Sequence, residues 1–428
     1  MSGAGPTYAP EVSADTENPP PEVPSAATGK VNTLATLSVV FAFLFAPVGA
    51  ALGHVALSQI RRHRQPGRTR AVIGVTTSYL LIVATVVVLA VWPLRDRGHP
   101  ATTTPANGLH NDTPSTANVS AHTPRSVTAT ITVGGEPAGI AADPAAHTVY
   151  VTVSSDVGAY RAGALPVIDA ATNTVTGRIN IDYPLDVAVD SATHTAYVTG
   201  GYWGRNRGLS VIDTAAGVIT ATVDVSGLDI ALDPAAHTAY VAGGGDHEPG
   251  HVSVVDLTTN TVTTTTKSDT EGPAYVAVDP ATHTAYFTDW GGTVSVIDTT
   301  GTVTTTITTG GGPSGVAVDT GGHTGYVTNF GDGVTVIDTT TNTVTTTIKA
   351  GNGPDTVAID SAAHTAYVTN NKDGTVSVID TTTNTVTTTI KVGKRPSGVA
   401  VDSGTHIAYV ANSGDGTVSV ISPSLRNG

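Results

Sequence analysis

The chain has 428 residues, a formal net charge of −14 and no cysteine. The lack of cysteine excludes disulfides, iron–sulfur clusters, cysteine-ligated zinc and c-type haem attachment. Glycine and threonine are abundant while phenylalanine, tryptophan and methionine are scarce, which favours short strands and tight turns over a large helical core. From residue 126 onward 11 Lys and Arg stand against 28 Asp and Glu, so this part is a poor binder of nucleic-acid backbones.

The N-terminal region reads as a tail followed by a membrane hairpin. Residues 1–30 are rich in Pro, Ala, Ser and Glu and are predicted to be a disordered acidic tail. Two apolar stretches, Leu34–Leu57 and Ala71–Leu94, each reach the ~20 residues that a membrane-spanning helix needs. The loop between them, 61–70, holds five arginines, and such loops stay in the cytoplasm. We therefore predict two transmembrane helices over 31–94, with both flanks outside.

Three other interpretations of the apolar stretches are a cleaved signal peptide, a soluble helical hairpin and a polybasic lipid-binding loop. A cleaved signal peptide needs a short basic leader, whereas this leader is long and acidic. A soluble helical hairpin needs a polar face on each helix, which neither stretch has. A polybasic lipid-binding loop is compatible with the membrane hairpin. Gly49 and Gly53 either allow close packing of the two helices or are merely tolerated within a membrane helix.

The stretch "GHVALSQIRRHRQPGRTRAVIG", residues 53–74, resembles a small membrane domain of unknown function common in actinobacterial proteins. The resemblance covers roughly residues 31–92 and implies a two-helix anchor without chemistry of its own. Residues 95–125 are rich in Thr and Pro and are predicted to be a flexible linker.

From residue 126 to residue 428 the chain repeats one unit. Seven histidines recur at intervals of 40 to 47 residues: His147, His194, His237, His283, His323, His364 and His406. Each unit contains four short segments typical of strands, such as "PSGVAVD" (A), "HTAYVTN" (B), "TVSVID" (C) and "TVTTTIKV" (D). Four antiparallel strands at this period form one blade of a β-propeller.

The two ends of the repeat region predict how the ring closes. The region begins with "SVTATITVGG", a D strand alone, and finishes with "TVSVIS", a C strand without its D. If the first strand completes the last blade, no sheet edge is left open. We predict an all-β fold, a seven-bladed propeller of four-stranded blades closed by the first strand.

The repeats also resemble a known family. Residues 326–329 and 367–370 both read Tyr-Val-Thr-Asn, the signature tetrapeptide of the YVTN-repeat β-propeller family, and "VSVIDTTTNTVTTTIKVGKRPSGVAVD" is similar to its consensus. The resemblance covers about 70% of the chain. It implies the propeller fold and, only loosely, a binding or scaffolding role at the cell surface.

The repeated Asp and His are interpreted as structural. In every unit the His follows an Asp by four residues, a spacing typical of a tight hairpin between strands A and B. The blades radiate, so these residues are spread around one face and do not converge on a metal. The mid-strand tyrosines are predicted to pack between blades, and they are Tyr150, Tyr197, Tyr240, Tyr286, Tyr326, Tyr367 and Tyr409.

Function is expected where the repeat is broken. The loops between strands B and C of blades one to three are long and varied, and aromatic and Arg residues on such loops are frequent in binding sites. The candidate binding residues there are Tyr160, Arg161, Tyr202, Trp203, Arg205, Arg207, Asp246, His247, Glu248 and His251. A protein or carbohydrate-like partner would suit them, but random drift of exposed loops would give the same picture.

The loops between strand D and the next strand A end on the same face, at the channel mouth. Their charged residues are Glu136, Asp182, Asp269, Glu271, Asp355, Lys394 and Arg395. Several carboxylates at one mouth could bind a cation or perform acid–base chemistry, or serve only solubility. We predict no cofactor, no metal and no catalytic residue.

These observations favour a non-enzymatic binding or scaffold module, anchored in the cytoplasmic membrane with the propeller on the extracytoplasmic side. The alternative is a propeller enzyme, such as a lactonase-like hydrolase or a quinoprotein-like oxidoreductase, with its site at the channel mouth. No nucleophile motif of the G-x-S-x-G type occurs in a strand–turn–helix context.

Overall fold

The computed structural model describes residues 122–157, 160–200, 208–245, 248–271, 275–331 and 333–424. The chain divides into two compact units, Met1–Asn111 and Asp112–Gly428, and the described residues belong to the second. The predicted tail, the membrane hairpin and most of the linker lie outside the described residues. Along the part of the chain that the structure describes, no helix is long and apolar enough to cross a membrane.

Twenty-eight strands in the described residues form seven antiparallel sheets of four strands, the blades. The first strand, β1 (Arg125–Thr132), belongs to the last of them. Blades one to three contain Glu136–Asp143, Thr148–Val157, Tyr160–Asp169 and Thr174–Asn180 (β2 to β5); Pro184–Asp190, Thr195–Gly200, Gly208–Asp213 and Val218–Val223 (β6 to β9); and Asp229–Asp233, Thr238–Gly245, Glu248–Asp256 and Thr261–Glu271 (β10 to β13).

The remaining blades follow the same order. Blades four to six contain Val276–Asp279, Thr284–Asp289, Thr293–Ile297 and Val303–Thr308 (β14 to β17); Pro313–Asp319, Thr324–Asn329, Gly333–Asp338 and Thr343–Ile348 (β18 to β21); and Pro354–Asp360, Thr365–Asn370, Thr375–Asp380 and Thr385–Lys391 (β22 to β25). Blade seven contains Pro396–Asp402, Ile407–Asn412 and Thr417–Pro423 (β26 to β28), and β1 pairs with β28 as its fourth strand. The prediction of seven four-stranded blades is confirmed.

The A strands surround a central channel. They are β2, β6, β10, β14, β18, β22 and β26, and each contacts the A strands of both neighbouring blades, including β26 with β2. The B strands behind them are almost wholly buried, whereas most residues of the Thr-rich D strands at the rim are exposed or half-buried. The exposure of the D strands explains why they are rich in threonine, because threonine suits a pleated surface that faces water.

The hydrophobic core is divided among the interfaces between blades. Tyr367 packs with Val399 and Ala408 of the next blade, and Tyr326 packs in the same way with Val357. All seven repeated tyrosines are buried, and each joins such an interface. The prediction that they pack between blades is confirmed.

The repeated histidines occupy a special backbone position in the A–B turns. All seven have a left-handed conformation, with φ between 49° and 59°, a region that few residues other than glycine adopt readily. The Asp before the turn caps it, as Asp402 does by accepting hydrogen bonds from the N–H groups of Gly404 (2.8 Å) and Thr405 (3.2 Å). The C–D turns use the same device with Asn or Gly in the left-handed position, for example Asn384 and Gly301.

Two of these histidines also connect neighbouring blades. His283 Nδ1 lies 2.6 Å from Asp233 Oδ2, and His406 Nδ1 lies 2.8 Å from Asp360 Oδ2. In both pairs the Asp belongs to the A–B turn of the preceding blade, not to the turn of the His itself. The structural interpretation of the repeated Asp and His therefore accounts for their spacing and their contacts.

Around the channel, a threonine from the B strand links adjacent blades. Thr328 Oγ1 accepts a hydrogen bond from Gly315 N–H (2.7 Å) and donates one to the Asp355 carbonyl of the next blade (2.6 Å). Thr152, Thr288 and Thr369 make equivalent cross-blade bonds. The third residue of the Tyr-Val-Thr-Asn tetrapeptide thus holds neighbouring A strands together.

The fourth residue of the tetrapeptide braces the loop that enters the blade. Asn370 is fully buried; its Oδ1 accepts from Gly351 N–H (3.1 Å) and its Nδ2 donates to Thr375 and Ser377. Asn412 does the same in blade seven. Blades one to three have Val153, Gly200 and Gly243 at this position, so they lack the Asn side chain that makes these bonds.

Side-chain contacts, in addition to the backbone pairing with β28, hold the first strand in place. Arg125 is buried, and its Nε donates to the Tyr367 hydroxyl of blade six (2.7 Å) while its Nη2 donates to Thr365 (3.1 Å). Ile131 and Val133 enter the core between blades seven and one. The start of the repeat region therefore contacts three blades.

Candidate functional site

The channel contains a cavity near the ends of the A strands that follow the D–A loops. Its volume is about 390 Å³, and every A strand contributes to its wall. In each blade the residue aligned with Gly398 of the segment "PSGVAVD" decides which side chain lines the cavity. Three blades have glycine there, Gly139, Gly315 and Gly398. Added side chains would collide with the next blade, as a Cβ on Gly398 would with the Ala138 carbonyl oxygen.

The other four blades place larger side chains at this position: Asp186, Asp229, Tyr275 and Thr356. Asp186 and Asp229 come from adjacent blades and are hydrogen-bonded to each other. Two carboxyl groups share such a bond only when one of them is protonated. Burial, and next the negative charge of Asp229, raise the pKa of Asp186 well above its usual range.

Each of the two carboxyls also binds the backbone of the following blade. Asp186 Oδ2 accepts from Ile230 N–H (3.2 Å), and Asp229 Oδ2 accepts from Val276 N–H (2.7 Å). Burial raises the pKa of Asp229 as well, although these N–H bonds oppose the shift. The pair is thus fixed in position on two rigid strands and shares one proton.

A third carboxyl and a phenol complete the polar wall. Burial raises the pKa of Asp355 to about 6, and its Oδ2 accepts a weak bond from Asn371 Nδ2 (3.3 Å). Burial raises the pKa of Tyr275 above its usual range, and the charges of Asp355, Asp229 and Asp186 add to the shift. Among the described residues that line the cavity there is no Lys, Arg or His.

The residues predicted from the loops differ in how far the structure describes them. Tyr202, Trp203, Arg205, Arg207, Asp246 and His247 lie outside the described residues, and only the backbone is described for Tyr160, Arg161, Glu248, Asp269 and Glu271. His251 bonds through Nε2 to the Ser226 carbonyl (3.3 Å). These sites remain predictions.

Of the predicted channel-mouth residues whose side chains the structure describes, Asp355 alone lines the cavity. Glu136, Asp182, Lys394 and Arg395 are exposed and do not line it. Lys394 Nζ instead lies 3.6 Å from Asp415. The main cavity carboxyls, Asp186 and Asp229, were not among the sequence candidates, although their departure from glycine at a fixed strand position was visible.

Two exposed aromatic residues on the same face were also missed. Trp290 is 55% exposed and Phe330 is 45% exposed, and both lie in the short B–C turns of blades four and five. The Phe330 N–H donates to the Gly312 carbonyl in the D–A loop (3.0 Å), and Lys372 Nζ stands 4.2 Å from the centre of the Phe330 ring. Aromatic residues are therefore not confined to blades one to three on this face.

The fold and the channel define a seven-bladed β-propeller. Many solved structures match, among them hydrazine synthase of Kuenenia stuttgartiensis, with a TM-score of 0.59 and 19% identity over 74% of this chain and 99% of that chain. At this identity the similarity shows the fold alone. The family model of a domain of unknown function, DUF4190, matches residues 33–88. No curated protein matches significantly.

Proposed function

We propose that this chain is a non-enzymatic binding module of the YVTN-repeat type, carried on the outer side of the cytoplasmic membrane by its N-terminal helices. The observation that carries the binding role is that departures from the sevenfold repeat gather on one face. That face holds the varied B–C loops, the exposed rings of Trp290 and Phe330, and the channel cavity. The opposite face repeats nearly the same capped turns in every blade, which gives a partner little to distinguish.

The anchoring proposal is supported by the two apolar stretches and by the DUF4190 match, which covers the first of them and most of the second. A chain without cysteine offers a direct test, because single cysteines can be placed at Gly67 and Thr103 and probed in intact cells with an impermeant thiol reagent. We expect labelling of Thr103→Cys alone, since the arginine-rich loop faces the cytoplasm. Labelling of Gly67→Cys alone would invert the proposed orientation.

The partner proposal is tested on the loops of blades one to three. Trp203 and Arg205 combine a ring and a guanidinium in one loop of an acidic domain. Loss of a true hot spot typically costs about 2 kcal/mol or more, roughly thirtyfold in affinity. We therefore expect the full chain with Trp203→Ala and Arg205→Ala to lose the protein or carbohydrate-like partner that the unmodified chain retains after crosslinking in its own membranes.

The matched control lies on the opposite face. His194→Gly with His323→Gly keeps the left-handed backbone that both positions require, since their φ values are 52° and 49°. This pair should retain the partner. If it loses the partner while still folded, and the loop pair keeps it, the proposed working face is wrong.

A second candidate function rests on one observation, the hydrogen bond between Asp186 and Asp229. A carboxyl pair that shares one proton has the parts of an acid and a base, as a hydrolase at the channel would need. Turnover of ester or lactone substrates that is lost in Asp186→Asn would favour this enzyme over the binding module.

A further inference from the structure

Two exposed aromatic rings stand at equivalent positions of neighbouring blades. Trp290 directly follows strand B of blade four, and Phe330 directly follows strand B of blade five. The two residues are 55% and 45% exposed. Aromatic residues are enriched where a partner covers a protein surface, so this pair indicates an interaction surface on the face that carries the D–A loops.

The D–A loop between the two rings presents bare backbone, because residues 310–312 are all glycine. The loop begins at Thr309, whose N–H donates to the carbonyl of Gly292 (2.9 Å), two residues after Trp290. It ends where the Gly312 carbonyl accepts from the Phe330 N–H (3.0 Å), and the first two glycines are exposed. No side chain therefore rises between the rings, and exposed N–H and C=O groups are open to a flat ligand.

Cations lie beside the rings on the same face. Lys372 Nζ stands 4.2 Å from the centre of the Phe330 ring, and this cation–π contact holds the ammonium group in one place at the surface. Four more exposed cations occupy the D–A ends of blades five to seven: Lys349, Lys391, Lys394 and Arg395. We name the two rings and these five cations the aromatic–basic surface.

The positive charge of the aromatic–basic surface is mostly left unpaired. Among the described residues, Asp415 alone brings a carboxylate within 4 Å of one of the five cations, at 3.6 Å from Lys394 Nζ. Both oxygens of the nearby Asp373 accept hydrogen bonds from Asn352, through its N–H (2.8 Å) and its Nδ2 (2.9 Å). These two carboxylates brace loops and leave most of the cations open to an anionic partner.

The acidic net charge of the propeller is concentrated elsewhere. Of the 28 acidic residues from Ser126 onward, thirteen are aspartates that cap turns on the opposite face, seven in the A–B turns and six in the C–D turns. Interactions between exposed charges are largely screened beyond about 10 Å in physiological salt. An anionic partner on the aromatic–basic surface is therefore governed by the cations next to it.

The shape of the surface favours a sugar polymer over a peptide. Peptides are commonly specified by pockets for their side chains or by an open strand edge, and the glycine floor between the rings supplies neither. A pyranose ring has a flat apolar side that suits the open face of an aromatic ring. Equivalent positions in successive blades also match a ligand that is itself built of repeated units.

We propose that the aromatic–basic surface binds an anionic polysaccharide whose sugars carry carboxylate groups. This inference rests on the proposed binding function and names the class of partner for that face. One sugar ring would stack on Trp290, and the carboxylate of a neighbouring sugar would pair with Lys372. Hydroxyl groups of the polymer would bond to the exposed backbone of residues 310–312.

The test is calorimetric titration of the purified full chain with a galacturonate decamer at pH 7.5, with a chelator present. We expect saturable binding that weakens at least fivefold between low salt and 0.3 M NaCl, since salt screens exposed charges. The same decamer with methyl-esterified carboxyls keeps its sugar rings and loses its charge, so it should bind at least tenfold more weakly. A glutamate decapeptide, which has the charge without the sugar rings, should also bind at least tenfold more weakly.

Two variants decide which side chains are responsible. Trp290→Ala should lower the affinity for the galacturonate decamer at least tenfold, and Lys372→Gln, which keeps the aliphatic stem on Phe330, at least threefold. The matched controls are Val303→Ala, an exposed apolar residue on the outer strand of blade four, and Lys267→Gln, an exposed lysine of blade three. Both controls should bind like the unmodified chain, and thermal unfolding will verify that all four variants fold.

Four results would each overturn the inference. They are equal binding of the methyl-esterified decamer, equal binding of the glutamate decapeptide, unchanged affinity in folded Trp290→Ala, and no binding of the galacturonate decamer to the unmodified chain. Equal binding of the decapeptide would make the partner an acidic peptide.

The two proposals fail separately. If the galacturonate decamer does not bind while Trp203→Ala with Arg205→Ala still loses the partner, only the class of ligand on the aromatic–basic surface is wrong. If the decamer binds as expected while the loop variants keep the partner, the aromatic–basic surface stands and the partner site on blades one to three is wrong.

Discussion

Deletion of Arg125–Thr132 is expected to abolish cooperative unfolding and to make the chain aggregate. The deletion strips β28 of its outer neighbour, leaving an open edge rich in valine and isoleucine, and such edges pair with other chains. It also removes Ile131 from the core between blades seven and one, and Arg125 from Tyr367. Circular dichroism on heating should show a broad transition, with a rise in light scattering.

A rescue variant distinguishes the loss of the fourth strand of blade seven from general damage to the chain caused by the deletion. The same eight residues can be restored after β28 through a copy of the turn Asp380–Thr385, which connects strands C and D in blade six. The restored strand would then follow its partner directly, as in every other blade, and cooperative unfolding should return. If the deletion alone unfolds like the intact chain, β1 does not complete the ring in solution.

The free energy of unfolding is expected to fall as the pH rises from 4 to 8. The pKa of Asp355 is raised from 3.8 to about 6 in the folded chain, so the folded state binds this proton more tightly than the unfolded state. Stability from such a raised carboxyl is full below pH 4 and lost through pH 6. Asp186 and Asp229 shift in the same direction.

Asp355→Asn should therefore be more stable than the parent at pH 8, by about 3 kcal/mol, and nearly equal to it at pH 4. The amide keeps an oxygen for the bond from Asn371 but has no charge to desolvate. Denaturant unfolding at several pH values measures the difference. Glu136→Gln is the matched control, because Glu136 is exposed on the same face and should leave the slope unchanged. An unaltered slope in Asp355→Asn would contradict the prediction.

The blade count and strand order could be predicted because they depend on a period and on residues at fixed places within it. Four strands per unit follow from alternating residues bounded by Gly, Asp and Asn. The Tyr of each B strand was assigned to packing for the same reason, and Tyr326 and Tyr367 are fully buried between blades.

The cavity could not be predicted in the same way. Loop length and composition are visible in a sequence, so the sequence indicates candidate residues in the B–C loops and in the D–A loops. Asp186 and Asp229 lie within strands of ordinary length, and 43 residues separate them. Only the ring brings these equivalent positions of adjacent blades together, and only then do two isolated carboxyls become a pair that shares a proton.

The near-identity of blades five and six has a consequence for how the chain folds. Residues 338–349 and 380–391 are the same twelve letters, DTTTNTVTTTIK, so β20 could form an equally good ladder with β21 or β25. The correct choice is made by proximity, because closing the short loop between Asp338 and Thr343 is faster than any pairing with a distant strand. β1 and β28 are not joined by a short loop, so proximity along the chain does not favour their pairing. In this pair the incoming strand has an additional hydrogen bond, from Arg125 to the Tyr367 hydroxyl.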